Sequence, residues 1–339
     1  VWNGRTQRSN RCRNKQNEHI HGKTDVYVVE KQEKPDGNFP TVAYPNPEDS
    51  KAWMLALELA KEKDADIVLA TDPDADRLGV YAKDEKTGEY VSFTGNMSGS
   101  LIAEYILREK KEKGELPENA AIVETIVTTD MLKAVAEKYG VKLMEVLTGF
   151  KFIGEQIKLF EQNNSYEYIF GMEESYGCLA GTYARDKDAC VAVMMLCEVA
   201  AYYKLKGMTL CDAMQDMYKE YGYYKEGLFT ITKKGIDGAE QIENMMREKR
   251  ENPATVMGGF KVLKMRDYQS DEVKDMVTGE TGTTGLPKSN VLYYELENNA
   301  WCCVRPSGTE PKIKFYYGVK GESLEDAEKK LEAIKEDLI

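Results

Sequence analysis

Apolar residues change their repeat along this chain in a regular order, and the order predicts the elements. From Asp25 onward, short β-branched runs predict strands: "DVYVVE" (25–30), "ADIVLA" (65–70) and "LGVYA" (78–82). Between the first two, "YPNPEDSKAWMLALELAKEKDA" opens on proline-rich turn chemistry. It then sets Trp53, Leu55, Ala56, Leu59 and Ala60 at helical spacing. A polar hairpin follows around Lys86–Gly88. A second unit begins near Gly95. "SGSLIAEYILREKKEK" predicts a helix with Ser98 as N-cap. "AAIVETIVTTDMLKAVAEKYG" reads as strand, cap and helix, stopped by Gly140. "VKLMEVL", "GFKFIGEQIKLF" and "YEYIFGM" read as strand, helix, strand, and two longer helices follow at about 186–206 and 209–221. Alternating strands and helices imply a doubly wound parallel sheet.

The texture changes near Tyr223. It reads as strand, helix, strand, a Gly/Thr-rich loop at 278–285, two strands and a final helix from about Ser323, an order that suits helices on one face of an antiparallel sheet. The expected fold class is therefore α/β: doubly wound mixed or parallel sheet domains, followed by an α+β carboxyl-terminal domain. The expected divisions are 1–24, 25–94, 95–222 and 223–339.

Residues 1–24 do not fit either texture. They carry Arg5, Arg8, Arg11, Arg13, Lys15 and Lys23 against Glu18 alone, with almost no apolar residues. We read them as a disordered or artefactual tail rather than as a nucleic-acid arm. The 339 residues are 42% hydrophobic, enough for real cores, and the net charge of −12 argues against nucleic acid and anionic membranes as partners. No apolar run approaches membrane-spanning length, and no signal-peptide core is visible. The seven cysteines include no CxxC, and reduced thiols in a cytoplasmic protein are expected. The only two histidines, His19 and His21, lie near the amino end, which excludes histidine triads and histidine-ligated zinc from the body of the chain.

Chemistry concentrates in four loops at strand ends. "TDPDADRLGV" sets Asp72, Asp74 and Asp76 at alternate positions, with Arg77 after them. Three like charges this close repel, and a hard divalent cation among them would relieve the repulsion. An EF-hand needs Gly and Glu where this loop has Arg77 and Lys83, so that motif fails; a solvated acidic turn is the bland alternative. "TGFKFIG" places Lys151 at a helix start, where a cation does not suit the helix dipole. A ligand or plain solvent exposure would each account for it. "FGMEESYG" follows a strand with Glu173, Glu174 and Ser175, types that suit vicinal sugar hydroxyls. "ARDKDAC" then adds Arg185 and Lys187 for phosphate charge, although ordinary surface charge would also explain them. "RPSGTEPKIKFYYGV" packs Arg305, Ser307, Gly308 and Thr309 between two strands, where hydroxyls, backbone N–H groups and an arginine fork can cradle phosphate.

"TDPDADRLGV", "TGFKFIG", "GMEESYG", "RDKDA" and "RPSGTEPKIKFY", in this order, resemble the loops of the α-D-phosphohexomutase superfamily, with the EES sugar loop nearest its phosphoglucomutase branch. The resemblance runs from about Asp25 to the end. It implies four domains around a cleft and a phosphoserine that exchanges phosphoryl groups with a hexose phosphate. It further implies magnesium on Asp72, Asp74 and Asp76. Arg77, Lys151 and Lys187 would be the catalytic cations. Thr148 and Gly149 would line the cleft, Glu173 and Ser175 would hold sugar hydroxyls, and Arg185 would face substrate charge. Arg305, Ser307, Gly308 and Thr309 would grip the phosphate not in transit. The implied ligands are glucose 1-phosphate, glucose 6-phosphate and glucose 1,6-bisphosphate. One departure is large. The family's phosphoserine lies in a loop resembling T-A-S-H-N-P, and no such stretch occurs here, so the sequence reads as lacking the first domain and the start of the second. On that reading the chain alone is inactive, and a non-catalytic sugar-phosphate or metal-binding module is the rival reading. An acyl-phosphate hydrolase with an aspartate nucleophile is a further rival, but it gives the Glu173–Ser175 and Arg305 loops no purpose.

Overall fold

The computed structural model describes residues 25–233, 237–308 and 311–338; the expected basic tail at 1–24 lies outside them. The chain divides into two compact units. Among the described residues, one takes in those up to Thr128 together with Leu132–Met217, and the other takes in Thr129–Met131 and those from Tyr218 onward.

The first unit opens without the expected strand at 25–30. That segment has no regular structure up to Val29, which is extended, and then turns through a 3₁₀ helix, Glu30–Gln32. Val26 and Tyr27 are exposed there, and among the described residues no strand pairs with this segment, so its apolar run gains nothing from pairing geometry. Helix α1 (Met54–Lys63) is preceded by a 3₁₀ turn, Ser50–Trp53, capped by the Asp49 side chain. Trp53 is fully buried against Ala52, Ala60, Val68 and Ala70, and its ring sits 4.8 Å from that of Tyr81. Strands β1 (Ile67–Thr71), β2 (Leu78–Lys83) and β3 (Tyr90–Phe93) form an antiparallel sheet in chain order.

The doubly wound part follows. Helix α2 (Gly95–Glu112) starts earlier than expected. Thr94, not Ser98, is its N-cap and accepts from Met97 N, while Ser98 lies inside the helix and donates back to the Thr94 carbonyl. Strand β4 (Ala120–Thr125), helix α3 (Asp130–Tyr139), strand β5 (Lys142–Val146), helix α4 (Phe150–Asn163), strand β6 (Glu167–Met172), strand β7 (Cys178–Ala180), helix α5 (Ala189–Leu205) and helix α6 (Leu210–Tyr221) complete the series. The sheet order is β5-β4-β6-β7, with β4 parallel to both β5 and β6, and β7 antiparallel to β6. Strand β4 is buried along its whole length, as a central parallel strand covered on both faces must be. The carboxyl ends of β4, β5 and β6 therefore share one end of the sheet, where ligands of such sheets bind.

The second unit is antiparallel. Strands β8 (Tyr223–Thr232), β9 (Val256–Met257), β10 (Phe260–Asp267), β11 (Glu272–Asp275), β12 (Thr281–Gly282), β13 (Leu292–Leu296), β14 (Trp301–Pro306) and β15 (Lys312–Gly321) join with helices α7 (Gly238–Glu251) and α8 (Leu324–Leu338). The main order is β12-β11-β10-β13-β14-β15-β8, with β9 beside β10. Its core sets Leu292, Tyr294, Val304, Ile313 and Phe315 against Ile242 and Met246 of α7 and Ala327 and Ile334 of α8. Strand β12 falls inside the loop expected at 278–285 and β11 just before it; neither buries an apolar face, so no alternation marks them.

Candidate active site

The aspartate loop is wound around one of its own carboxylates. Asp72 Oδ1 accepts from Asp76 N at 3.1 Å and from Arg77 N at 3.0 Å, and the Asp72 carbonyl accepts from Ala75 N at 3.1 Å. Ala75 takes a left-handed conformation (φ 60°) to close the turn. The result is convergence: carboxylate oxygens of Asp72, Asp74 and Asp76 all lie within 4.8 Å of one another. Burial, set against the bond from Arg77 N and reinforced by the neighbouring Asp76 and Asp74 charges, pushes the Asp72 pKa up to about 6. Asp76 Oδ1 is buried and makes no hydrogen bond. Three oxygen donors with one left orphaned fit a hard divalent cation and suit no soft metal.

Backbone bonds clamp this loop to the loop after β6. Arg77 and Gly177 form an antiparallel bridge, Leu78 N donates to the Tyr176 carbonyl at 2.9 Å, and Ala189 N donates to the Ala75 carbonyl at 3.0 Å. Gly95 is required at this seam, because a Cβ there would sit 2.3 Å from the Glu174 carbonyl oxygen. Glu173 is buried at the end of β6, and its Oε1 accepts from Gly149 N at 2.9 Å. This bond ties the β5 loop, with Gly149 at φ 121°, to the β6 loop. Burial raises the Glu173 pKa, opposed by the nearby Lys187 charge and the Gly149 bond.

Lys187 completes the cluster. Its Nζ lies 3.1 Å from Asp76 Oδ2 and 3.0 Å from Asp186 Oδ1. Burial works to lower its pKa, but the bonds to Asp186 and Asp76 outweigh burial and hold it above the usual lysine value. Its stem passes so close to Gly177 that a Cβ there would fall 2.0 Å from Lys187 Cδ. A cavity of about 530 Å³ opens beside it, lined by Asp74, Arg185, Asp186, Lys187, Asp188 and Cys190.

Of the other sequence candidates, Arg185, Lys151, Thr148 and Ser175 belong to the first unit, and Arg305, Ser307 and Gly308 to the second. Arg185 lines the cavity, yet its guanidinium is bound to the Glu161 carboxylate on α4 and to the carbonyls of Thr182 and Ala184. Lys151 is exposed on the first turn of α4, with its Nζ 4.9 Å from the Phe152 ring centre. Thr148 and Ser175 are half-buried in their loops. Arg305 lies in the second unit, paired with Lys314 across β14 and β15, and Ser307 N donates to the Lys312 carbonyl at 2.7 Å. Gly308 is exposed with open space where a side chain would stand, and Thr309 lies outside the described residues.

Sequence reasoning missed Glu48, Asp186 and Thr125. Glu48 Oε1 accepts from Arg77 Nη1 at 3.1 Å across 29 positions, and only the odd density of turn residues around it in "YPNPED" marked the segment. Thr125, at the end of β4, donates to Glu174 at 3.4 Å and pairs with Thr128 at 2.9 Å.

The sequence matches the description of phosphoglucomutase/phosphomannomutase α/β/α domain II over residues 16–87 and of α/β/α domain III over residues 94–221. It is 38% identical over 307 residues to a phosphoglucomutase of Staphylococcus aureus, covering 91% of this chain and 54% of that protein. It is 37% identical over 308 residues to a phosphoglucomutase of Staphylococcus saprophyticus, covering 91% and 55%. The chain thus spans about half the length of the curated relatives it matches. In fold it resembles the open form of the parafusin phosphoglucomutase of Paramecium, with a TM-score of 0.59 at 18% identity over 96% of this chain and 54% of that one. It also resembles a phosphoglucomutase/phosphomannomutase family protein of Burkholderia thailandensis, with a TM-score of 0.56 at 17% identity over 89% and 54%. Two domain types matched in their family order, on a fold that carries the aspartate and Glu173 loops at one end of its sheets, make the chain a member of the phosphoglucomutase/phosphomannomutase family.

Proposed function

We propose that this chain carries the cation-, sugar- and phosphate-binding loops of a mutase that interconverts glucose 1-phosphate and glucose 6-phosphate, by way of glucose 1,6-bisphosphate and a phosphoserine. The observation that supports this most is the convergence of Asp72, Asp74 and Asp76 within 4.8 Å, with Arg77 and Lys187 against them. The divisions that go with it are a metal-loop domain at 25–94, a sugar-loop domain at 95–222 and a phosphate-binding domain at 223–339.

On this reading the three aspartates hold magnesium, which when bound neutralises charge on the phosphoryl oxygens in transit. Lys187 stays protonated at neutral pH, because its bonds to Asp186 and Asp76 outweigh burial, so it offers N–H donors to phosphoryl oxygens. Glu173 uses one oxygen to hold Gly149 and keeps the other for a sugar hydroxyl, with Ser175 beside it. Thr148, Gly149 and Lys151 line the approach. Arg185 reaches substrate charge only by giving up Glu161. Arg305, Ser307, Gly308 and Thr309 take the phosphate that stays. The protein works in the cytoplasm, with no nucleic acid or membrane partner; among the described residues no helix is long and apolar enough to cross a membrane.

The 339 residues contain no T-A-S-H-N-P-like stretch, so on their own they bind without turning over. Calorimetry should show saturable binding of glucose 1,6-bisphosphate that Glu173→Gln weakens. A coupled assay should show no glucose 6-phosphate from glucose 1-phosphate. Substantial turnover by the pure chain would mean that the nucleophile lies elsewhere in these residues.

A further inference from the structure

The "YPNPED" turn builds more than a helix start. Asn46 Oδ1 accepts from Glu48 N at 2.8 Å, and the Pro47 carbonyl accepts from the buried Trp53 indole N–H at 2.9 Å. The turn is seated against strand β2 at Gly79, where a Cβ would fall 2.4 Å from the Trp53 ring and 2.6 Å from Pro47 Cβ. Gly79 lies two residues beyond Arg77, so the contact that seats the turn also sets Glu48 beside the Arg77 side chain.

Arg77 is held in an unrelaxed position. Its Nε is 3.8 Å from Asp72 Oδ2 and 3.7 Å from Asp76 Oδ1, beyond hydrogen-bond reach of both. Asp76 Oδ1 meanwhile is buried with no hydrogen bond at all. A guanidinium free to move would close on such an oxygen to about 2.7–2.9 Å. The restraint visible on it is the 3.1 Å bond from Nη1 to Glu48 Oε1.

We infer that Glu48 is a positioning residue that draws Arg77 back and keeps it from closing over the carboxylates. The inference rests on the proposed assignment of Asp72, Asp74 and Asp76 to a cation. Without Glu48, Arg77 forms its own ion pairs with Asp72 and Asp76 and competes with the metal for their oxygens. Glu48 thereby lets one loop hold both a cation site and an arginine.

Magnesium titration calorimetry on the full chain tests this, together with the Arg77 Nε–Hε NMR signal of the metal-free protein. Glu48→Ala should weaken magnesium binding roughly fivefold or more, the size expected for coupling between adjacent charged groups. Glu48→Gln loses the same charge but keeps an acceptor oxygen, so its affinity should stay within about twofold of wild type. Arg77→Met in the Glu48→Ala background should restore binding. The Arg77 signal should move in Glu48→Ala and hold in Glu48→Gln. Wild-type magnesium affinity and an unmoved signal in Glu48→Ala would overturn the inference. So would equal losses in both Glu48 variants that Arg77→Met does not restore. A wild-type chain that binds no magnesium, with the Arg77 signal still moving in Glu48→Ala alone, would sink the cation assignment while upholding the role of Glu48 in placing Arg77.

Discussion

Lys187 Nζ lies 3.1 Å from Asp76 Oδ2, so a single ammonium from the loop before α5 neutralises part of the aspartate loop between β1 and β2. The contact has two consequences that pull apart. It stabilises the metal-free cluster, and it competes with a cation for Asp76. Lys187→Met should therefore destabilise the metal-free protein by about 1–3 kcal/mol, the cost of leaving a charged partner unpaired. The same change should tighten magnesium binding. Because the folded pKa of Lys187 is raised, its contribution is fully present below the ordinary lysine value of 10.5 and is lost only as pH rises through the folded value. Urea melts of the variant and wild type between pH 6 and pH 9 should thus differ by a constant amount.

Asp72 gives a pH dependence of the same sign but in a much lower window. Its folded pKa stands at about 6 against the ordinary 3.8, so the ionised form is disfavoured in the fold. The unfolded chain loses this proton first, and metal-free stability should fall as pH rises from 3.8 through about 6 and then level off. A bound cation stabilises the ionised carboxylate and should flatten the decline. Thermal melts across this window, with and without magnesium, read the difference directly. Parallel curves would mean that the ion does not sit on Asp72.

In the second unit, Arg305 carries the proposed phosphate grip together with Ser307 and Gly308 at the end of β14. A guanidinium offers a planar fork to phosphate, whereas lysine offers a mobile point charge. Arg305→Lys should lose most of the phosphate response although net charge is kept. Titration of the full chain with glucose 6-phosphate should shift the backbone amides of Ser307 and Gly308, and those shifts should shrink in the variant. Undiminished shifts would remove the bidentate role.

Local chemistry was legible in the sequence, and long-range geometry was not. The alternate aspartates between two apolar runs placed the acidic loop between two strands, where β1 and β2 hold it. Glu173 and Lys187 were legible as types at a strand end. Their partners were hidden, because Gly149 to Glu173 and Asp76 to Lys187 are contacts between separate elements. The strand expected at 25–30 failed for the same reason, since alternation reports a face but not whether anything covers it. Thr94 was missed as the N-cap of α2 because Ser98 has the same chemistry one turn later, and the close approach of Gly95 to the Glu174 carbonyl is a contact between distant segments.

On the proposed reading, Asp72, Asp74 and Asp76 form one cation site. Asp74 is the exposed member of the three, so Asp74→Asn removes a charge with little cost to the fold. Magnesium should bind the wild-type chain at one site by calorimetry. The variant should bind at least roughly tenfold more weakly, since affinity at oxygen sites follows the count of charged ligands. Unchanged magnesium affinity in Asp74→Asn would contradict the account.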